Sequence, residues 1–134
     1  MSRDTLNQMA TVTEAMFQRE YSAIKSILKE EADLRRALLQ LKEQSIEART
    51  VSSNSHAMQS TGADFLWQSW VARNRRQLNI ELAQTMARKI EAMQHVRKAF
   101  GRNEAVKSLV QTAHSERALK IARIRAEQIM AFNT

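Results

Sequence analysis

Glu91 and His95 stand four residues apart, the spacing at which a carboxylate and an imidazole on one helix face can share a metal ion. A metal site needs a second pair, and none is present. The other histidines, His56 and His114, lie far from this pair and from each other. The competing reading of Glu91 and His95 is a solvated pair on a helix face. There is no cysteine, which excludes disulfides and thiolate metal sites and fits a reducing compartment. Gly62 and Gly101 lie in no glycine-rich run that could cradle a phosphate. Serines are plentiful, but the strand-to-helix elbow that exposes a nucleophilic serine needs strands. The expectation is no catalytic residue, no metal and no cofactor: not an enzyme.

Basic side chains are the other candidates. Arg73, Arg75 and Arg76 in "RNRR" are followed by Arg88 and Lys89, Arg97 and Lys98, and Arg102. Arg117, Lys120, Arg123 and Arg125 come near the end. A helix that reads DNA would need a denser basic block leading into a parallel zipper. Here Glu81, Glu91, Glu104, Glu116 and Glu127 interleave, so a solvated face accounts for most of the charge. An acidic protein partner ranks next, and nucleic acid is disfavoured. The net charge of +7 is uneven: residues 1–60 hold eight basic and eight acidic residues, residues 61–134 thirteen and six. The second half carries the field and calls for an acidic partner.

The elements that must hold these side chains are helices. Proline is absent and aromatics make up 5% of the chain, while Ala, Leu, Gln, Glu, Lys, Arg and Met dominate. A first helix is expected over about residues 4–50. Within it Phe17, Ile24, Glu31, Leu38 and Ser45 interleave with Glu20, Ile27, Leu34, Leu41 and Ala48, the alternating three-four spacing of a heptad seam. Its polar members suit either a coiled coil that must move or an ordinary helical hairpin. The run "TVSSNSHAMQSTG" is expected to form a bend over about 52–62, with Thr61 or Asp64 capping the restart. A second helix over about 64–132 carries the stripe Trp67, Val71, Leu78, Leu82, Met86, Ile90, Met93, Val96 and Phe100. Val106, Val110 and Ala113 continue it, then a gap at Arg117, then Ile121, Ile124 and Ala131. Gly101 makes a break possible, but no cluster of turn residues accompanies it, so a continuous helix is expected.

These elements make an all-α fold: one domain over 1–134, a long two-helix antiparallel coiled-coil hairpin with the second helix the longer. At ~1.5 Å per residue the helices span roughly 65 and 100 Å. Folding about residue 57 sets Leu6 opposite roughly Ser108 and brings Met1 no further than Ala113. Residues from about 114 onward are then expected to project alone. The segment "ERALKIARIRAEQIMAFNT" carries Leu119, Ile121, Ile124, Ile129, Met130 and Phe132 among its cations. Such a helix doubles back, self-associates, lies on a membrane surface or inserts into another protein. Near the bend, Trp67 and Trp70 lie three apart beside Phe65 and Leu66. They either pack on Val51 and Met58 or offer an apolar docking tip. No stretch has signal-peptide or membrane-spanning character, which sets a cytoplasmic expectation without stable membrane insertion.

In this layout and in "WQSWVARNRRQLNIELAQTMARKIEAM", with Trp70, Leu78 and Leu82, the chain resembles the FliJ-like family of flagellar and type III secretion stalk proteins. "FQREYSAI", with Phe17 and Tyr21, adds a fainter likeness. The charge-balanced first helix and the second tryptophan depart from the family pattern. The resemblance implies the central stalk of a hexameric export ATPase, cytoplasmic and peripheral to the inner-membrane export apparatus. The helical end would enter the ring, with Arg117, Lys120, Arg123 and Arg125 meeting acidic loops and Leu119, Ile121 and Ile124 forming an apolar bearing. The tip, Phe65, Trp67, Trp70 and Arg73, would face the membrane export gate. Export chaperones are further candidate partners. The alternatives are a secretion chaperone or generic coiled-coil adaptor, and a basic helical nucleic-acid-binding protein.

Overall fold

In the computed structural model, which describes residues 2–54 and 62–133, the first helix starts where a side chain can cap it. The Ser2 hydroxyl accepts the Thr5 N–H at 3.2 Å, and the Ser2 carbonyl accepts the Leu6 N–H at 3.1 Å. Helix α1 runs Arg3–Ser53. Its last turn is where hydroxyls compete for the backbone: Thr50 donates to the Ile46 carbonyl and Ser53 to the Thr50 carbonyl. Asn54 then closes a tight turn onto Val51. Residues 55–61 fall outside the described residues, and with them the expected cap Thr61, the expected contact Met58, and His56; so does Met1.

Gly62 leads into the second helix with φ of +76°, a left-handed backbone that favours a residue without Cβ. Its carbonyl accepts the Leu66 N–H at 3.1 Å. Helix α2 therefore begins at Ala63 and runs Ala63–Asn133. Asp64 sits inside the first turn rather than at the cap, where its charge suits the positive end of the helix. Gly101 lies within α2, which continues through it unbroken. The fold is the expected all-α hairpin, with helices of 51 and 71 residues packing antiparallel. No strand occurs among the described residues.

Two compact units divide the chain. One pairs residues 23–54 with 62–93. Its centre is Ile24, Leu41 and Val71, all buried. Three polar residues, Glu31, Ser45 and Thr85, are buried among them. The Glu31 carboxylate is held by Lys89 across the seam and by Arg35 on its own helix, each at 3.0 Å. Beside it Arg88 reaches Glu30 at 2.6 Å.

The other unit pairs residues 2–22 with 94–133. Leu6, Ala99 and Val106 are buried, and the Phe17 ring packs on Tyr21 and on Phe100, with centroids 5.9 and 5.7 Å apart. Asn103, 2% exposed, forms its polar centre. It accepts the Thr13 hydroxyl at 3.1 Å and donates its amide to Glu14.

The seam of α1 follows the expected register: every residue of the two heptad series from Phe17 to Ala48 is buried or half-buried. The stripe expected on α2 needs correction. Val71 and Val106 are buried and Trp67, Leu78, Leu82, Met93 and Val96 half-buried as expected, but Met86, Ile90 and Phe100 are exposed, and Thr85, Ala99 and Asn103 are buried outside the stripe. The reason is geometric. Leu78, Leu82, Met86 and Ile90 advance in steps of four, each overshooting a helical turn by about 40°. A seam that keeps facing a partner must average ~3.5 residues per turn. The register is also shifted, since Leu6 faces Val110 and Ala113 rather than Ser108.

Both buried polar clusters act on stability through pH. Glu31 sits below its usual value of 4.5, held there first by the Lys89 hydrogen bond and then by Arg35. Glu14 is lowered first by the Gln18 amide and then by Asn103. A carboxylate whose folded value is depressed adds stability above its unfolded value and loses it as pH falls through the folded one. The thermal midpoint is expected to fall as pH drops below 4.5, and Glu31→Gln should flatten that slope. Circular dichroism melts over the acidic range check this, and a midpoint that holds or rises on acidification contradicts it.

Candidate partner-binding surfaces

Past the start of α1, α2 continues with every residue from His114 to Asn133 exposed. This is the expected overhang. Helical geometry sorts its side chains into faces. At ~3.6 residues per turn, the line that faces α1 through Val106, Val110 and Ala113 continues as Arg117, Lys120 and Ile124, flanked by Ile121. Leu119, Ala122, Ala126 and Ile129 follow in steps of three and four about half a turn away, with Met130 beside them. Arg123 and Arg125 lie on the flanks between these stripes. The overhang is thus apolar along the line away from α1, while the α1-facing line mixes Ile121 and Ile124 with Arg117 and Lys120, and Phe132 near its end is 90% exposed. The seven side chains proposed from sequence as a single contact set do not share one face. Arg117, Lys120, Ile121 and Ile124 gather on the α1-facing side, while Leu119 belongs to the opposite stripe, with Ala122 and Ala126, which the sequence reading did not single out.

The overhang carries Arg117, Lys120, Arg123 and Arg125 against Glu116 and Glu127. None of the four cations makes an ion pair among the described residues. By contrast, Arg88, Lys89 and Lys107 each meet a glutamate of α1.

A notch of about 210 Å³ opens where α1 begins. Leu6, Val110 and Ala113 line its apolar side, and Arg3, His114 and Arg117 bring basic groups to it. Asn7 and Gln111 add amides. Sequence reasoning missed Arg3 and His114 as neighbours. The signal lay in the hairpin register, which sets residues near position 3 beside residues near 114.

At the other end of α2, Trp67 and Trp70 stack with centroids 5.0 Å apart and planes 22° apart. Trp70, Phe65 and Leu66 are exposed. Arg73 is exposed one turn further on. Trp67 is half-buried and lines a shallow groove together with Ala48, Val51 and Ala63. Its indole N–H is buried without an acceptor among the described residues. The four tip residues are therefore divided: Trp67 turns inward, and the others face solvent.

Glu91 and His95 are both exposed, and no cluster of three or more metal-ligating side chains occurs among the described residues. No described helix is long and apolar enough to cross a membrane. No family model matches the chain, and no curated protein or solved structure is similar to it.

Proposed function

We propose that the chain is a non-enzymatic stalk of a flagellar or type III protein-export ATPase, its overhang enclosed by the ATPase ring. The observation that carries this reading is a fully exposed helix with large apolar side chains on opposite sides, Leu119 and Ile129 on one and Ile121 and Ile124, among Arg117 and Lys120, on the other. A helix docking on a flat surface or a membrane needs one apolar side. Apolar residues on both sides favour a partner that surrounds the helix. The unpaired cations, Arg117 and Lys120 beside Ile121 and Ile124 and Arg123 and Arg125 on the flanks, suit acidic loops in that enclosure. The likeness of "WQSWVARNRRQ" to the FliJ-like pattern supports the same reading and gives the exposed tip, Phe65, Trp70 and Arg73 with Trp67 behind them, a role toward the membrane export gate. The protein would then work in the cytoplasm, peripheral to the export apparatus.

Addition of the purified chain to a cognate hexameric export ATPase is expected to raise its turnover or its hexamer fraction. Arg123→Glu combined with Arg125→Glu should abolish that effect, because both cations would then repel the acidic lining. Stimulation that survives the reversal, or no stimulation at all, leaves the adaptor reading in its place.

A further inference from the structure

The notch at the start of α1 has the makings of a site for one acidic side chain. Its charged groups are all basic, and Asp4 and Glu116, which adjoin Arg3 and Arg117 in sequence, do not line it. Arg3 and Arg117 make no ion pair among the described residues, so their guanidinium donors are uncommitted. The first turn of α1 adds the positive end of its dipole on the same side. Buried Leu6, with Val110, adds apolar lining. The notch also opens toward the line Arg117, Lys120 and Ile124 of the overhang.

We propose that this notch takes an Asp or Glu carboxylate from the protein that surrounds the overhang, held between Arg3 and Arg117. The partner comes from the stalk reading, and the site deepens it. A carboxylate suits the notch better than a phosphate because its methylene stem can lie on Leu6 and Val110 while the two oxygens meet the guanidinium forks. A strand of nucleic acid would need a continuous line of cations, whereas here Glu104, Glu116 and Glu127 interrupt α2.

The test uses the full chain, an end-blocked hexaglutamate peptide at low salt, and the arginine Nε–Hε signals in nitrogen-15 NMR spectra. Saturable shifts are expected at Arg3 and Arg117. The dissociation constant should rise at least about fivefold in Arg3→Gln/Arg117→Gln and less than about twofold in Arg75→Gln/Arg76→Gln, which removes the same charge from two exposed arginines outside the overhang. Equal weakening in the two variants overturns the proposal, since net charge alone would then explain binding. Inorganic phosphate, or vesicles of phosphatidylglycerol and phosphatidylcholine, moving the Arg3 and Arg117 signals at lower concentration than the peptide also overturns it. The peptide requires no ATPase. Peptide binding without ATPase stimulation therefore retires the stalk reading alone, and stimulation without shifts at Arg3 and Arg117 retires the notch alone.

Discussion

Changing Leu119, Ile121 and Ile124 together to Ser is expected to lower affinity for the enclosing partner by more than about 100-fold and to leave the thermal midpoint of the free chain nearly unchanged. All three side chains are exposed in the free protein, so removing them takes no contact from its core. Each would bury its surface only on binding, at ~1.5–3 kcal/mol for a fully covered side chain. Summed over three residues, half of that comes to ~2.3–4.5 kcal/mol and full cover to ~4.5–9 kcal/mol, against the ~2.7 kcal/mol that corresponds to 100-fold. The triple change reaches both stripes, since Leu119 lies opposite Ile124. Titration against the ATPase, with far-UV circular dichroism to confirm that the helix persists, measures the effect. Full stimulation by the triple variant would show that the overhang is not the contact.

Ile24→Ala is expected to destabilise the hairpin by ~2–4 kcal/mol, whereas Ile90→Ala should stay within ~0.5 kcal/mol. Ile24 is 4% exposed, and truncation there leaves a cavity as well as lost burial. Ile90 is 63% exposed. The comparison is sharp because both are isoleucines on long helices and both belong to apolar stripes in the sequence. Urea unfolding of the two variants separates them. Equal losses would mean that the α2 seam runs through Ile90 after all.

That contrast also shows what was legible before the fold was known. The α1 seam could be read position by position because its members keep the three-four alternation without a gap, even where Glu31 and Ser45 occupy it. On α2 the apolar residues themselves mislead: Leu82, Met86 and Ile90 look like a stripe, but constant steps of four wind it around the helix. The true seam passes through Thr85 and Asn103, polar residues that hydropathy assigns to the outside. Their burial depends on partners, Arg88 for Thr85 and the pair Thr13 and Glu14 for Asn103, and the nearest of those on α1 is some ninety positions away. The overhang was legible from length alone. Its two faces follow from helical phase measured against the seam, and the notch from the register, so both needed the pairing of the helices to be fixed first.

The presence of large apolar side chains on opposite sides of residues 119–130 bears on timing as well as on affinity. A helix gripped from one side can peel away laterally, contact by contact. One gripped from two sides has no lateral exit; it leaves lengthwise or waits until its holder opens. Its residence time would then be governed by the holder's own motions, and a modest contact area could sustain a long-lived assembly.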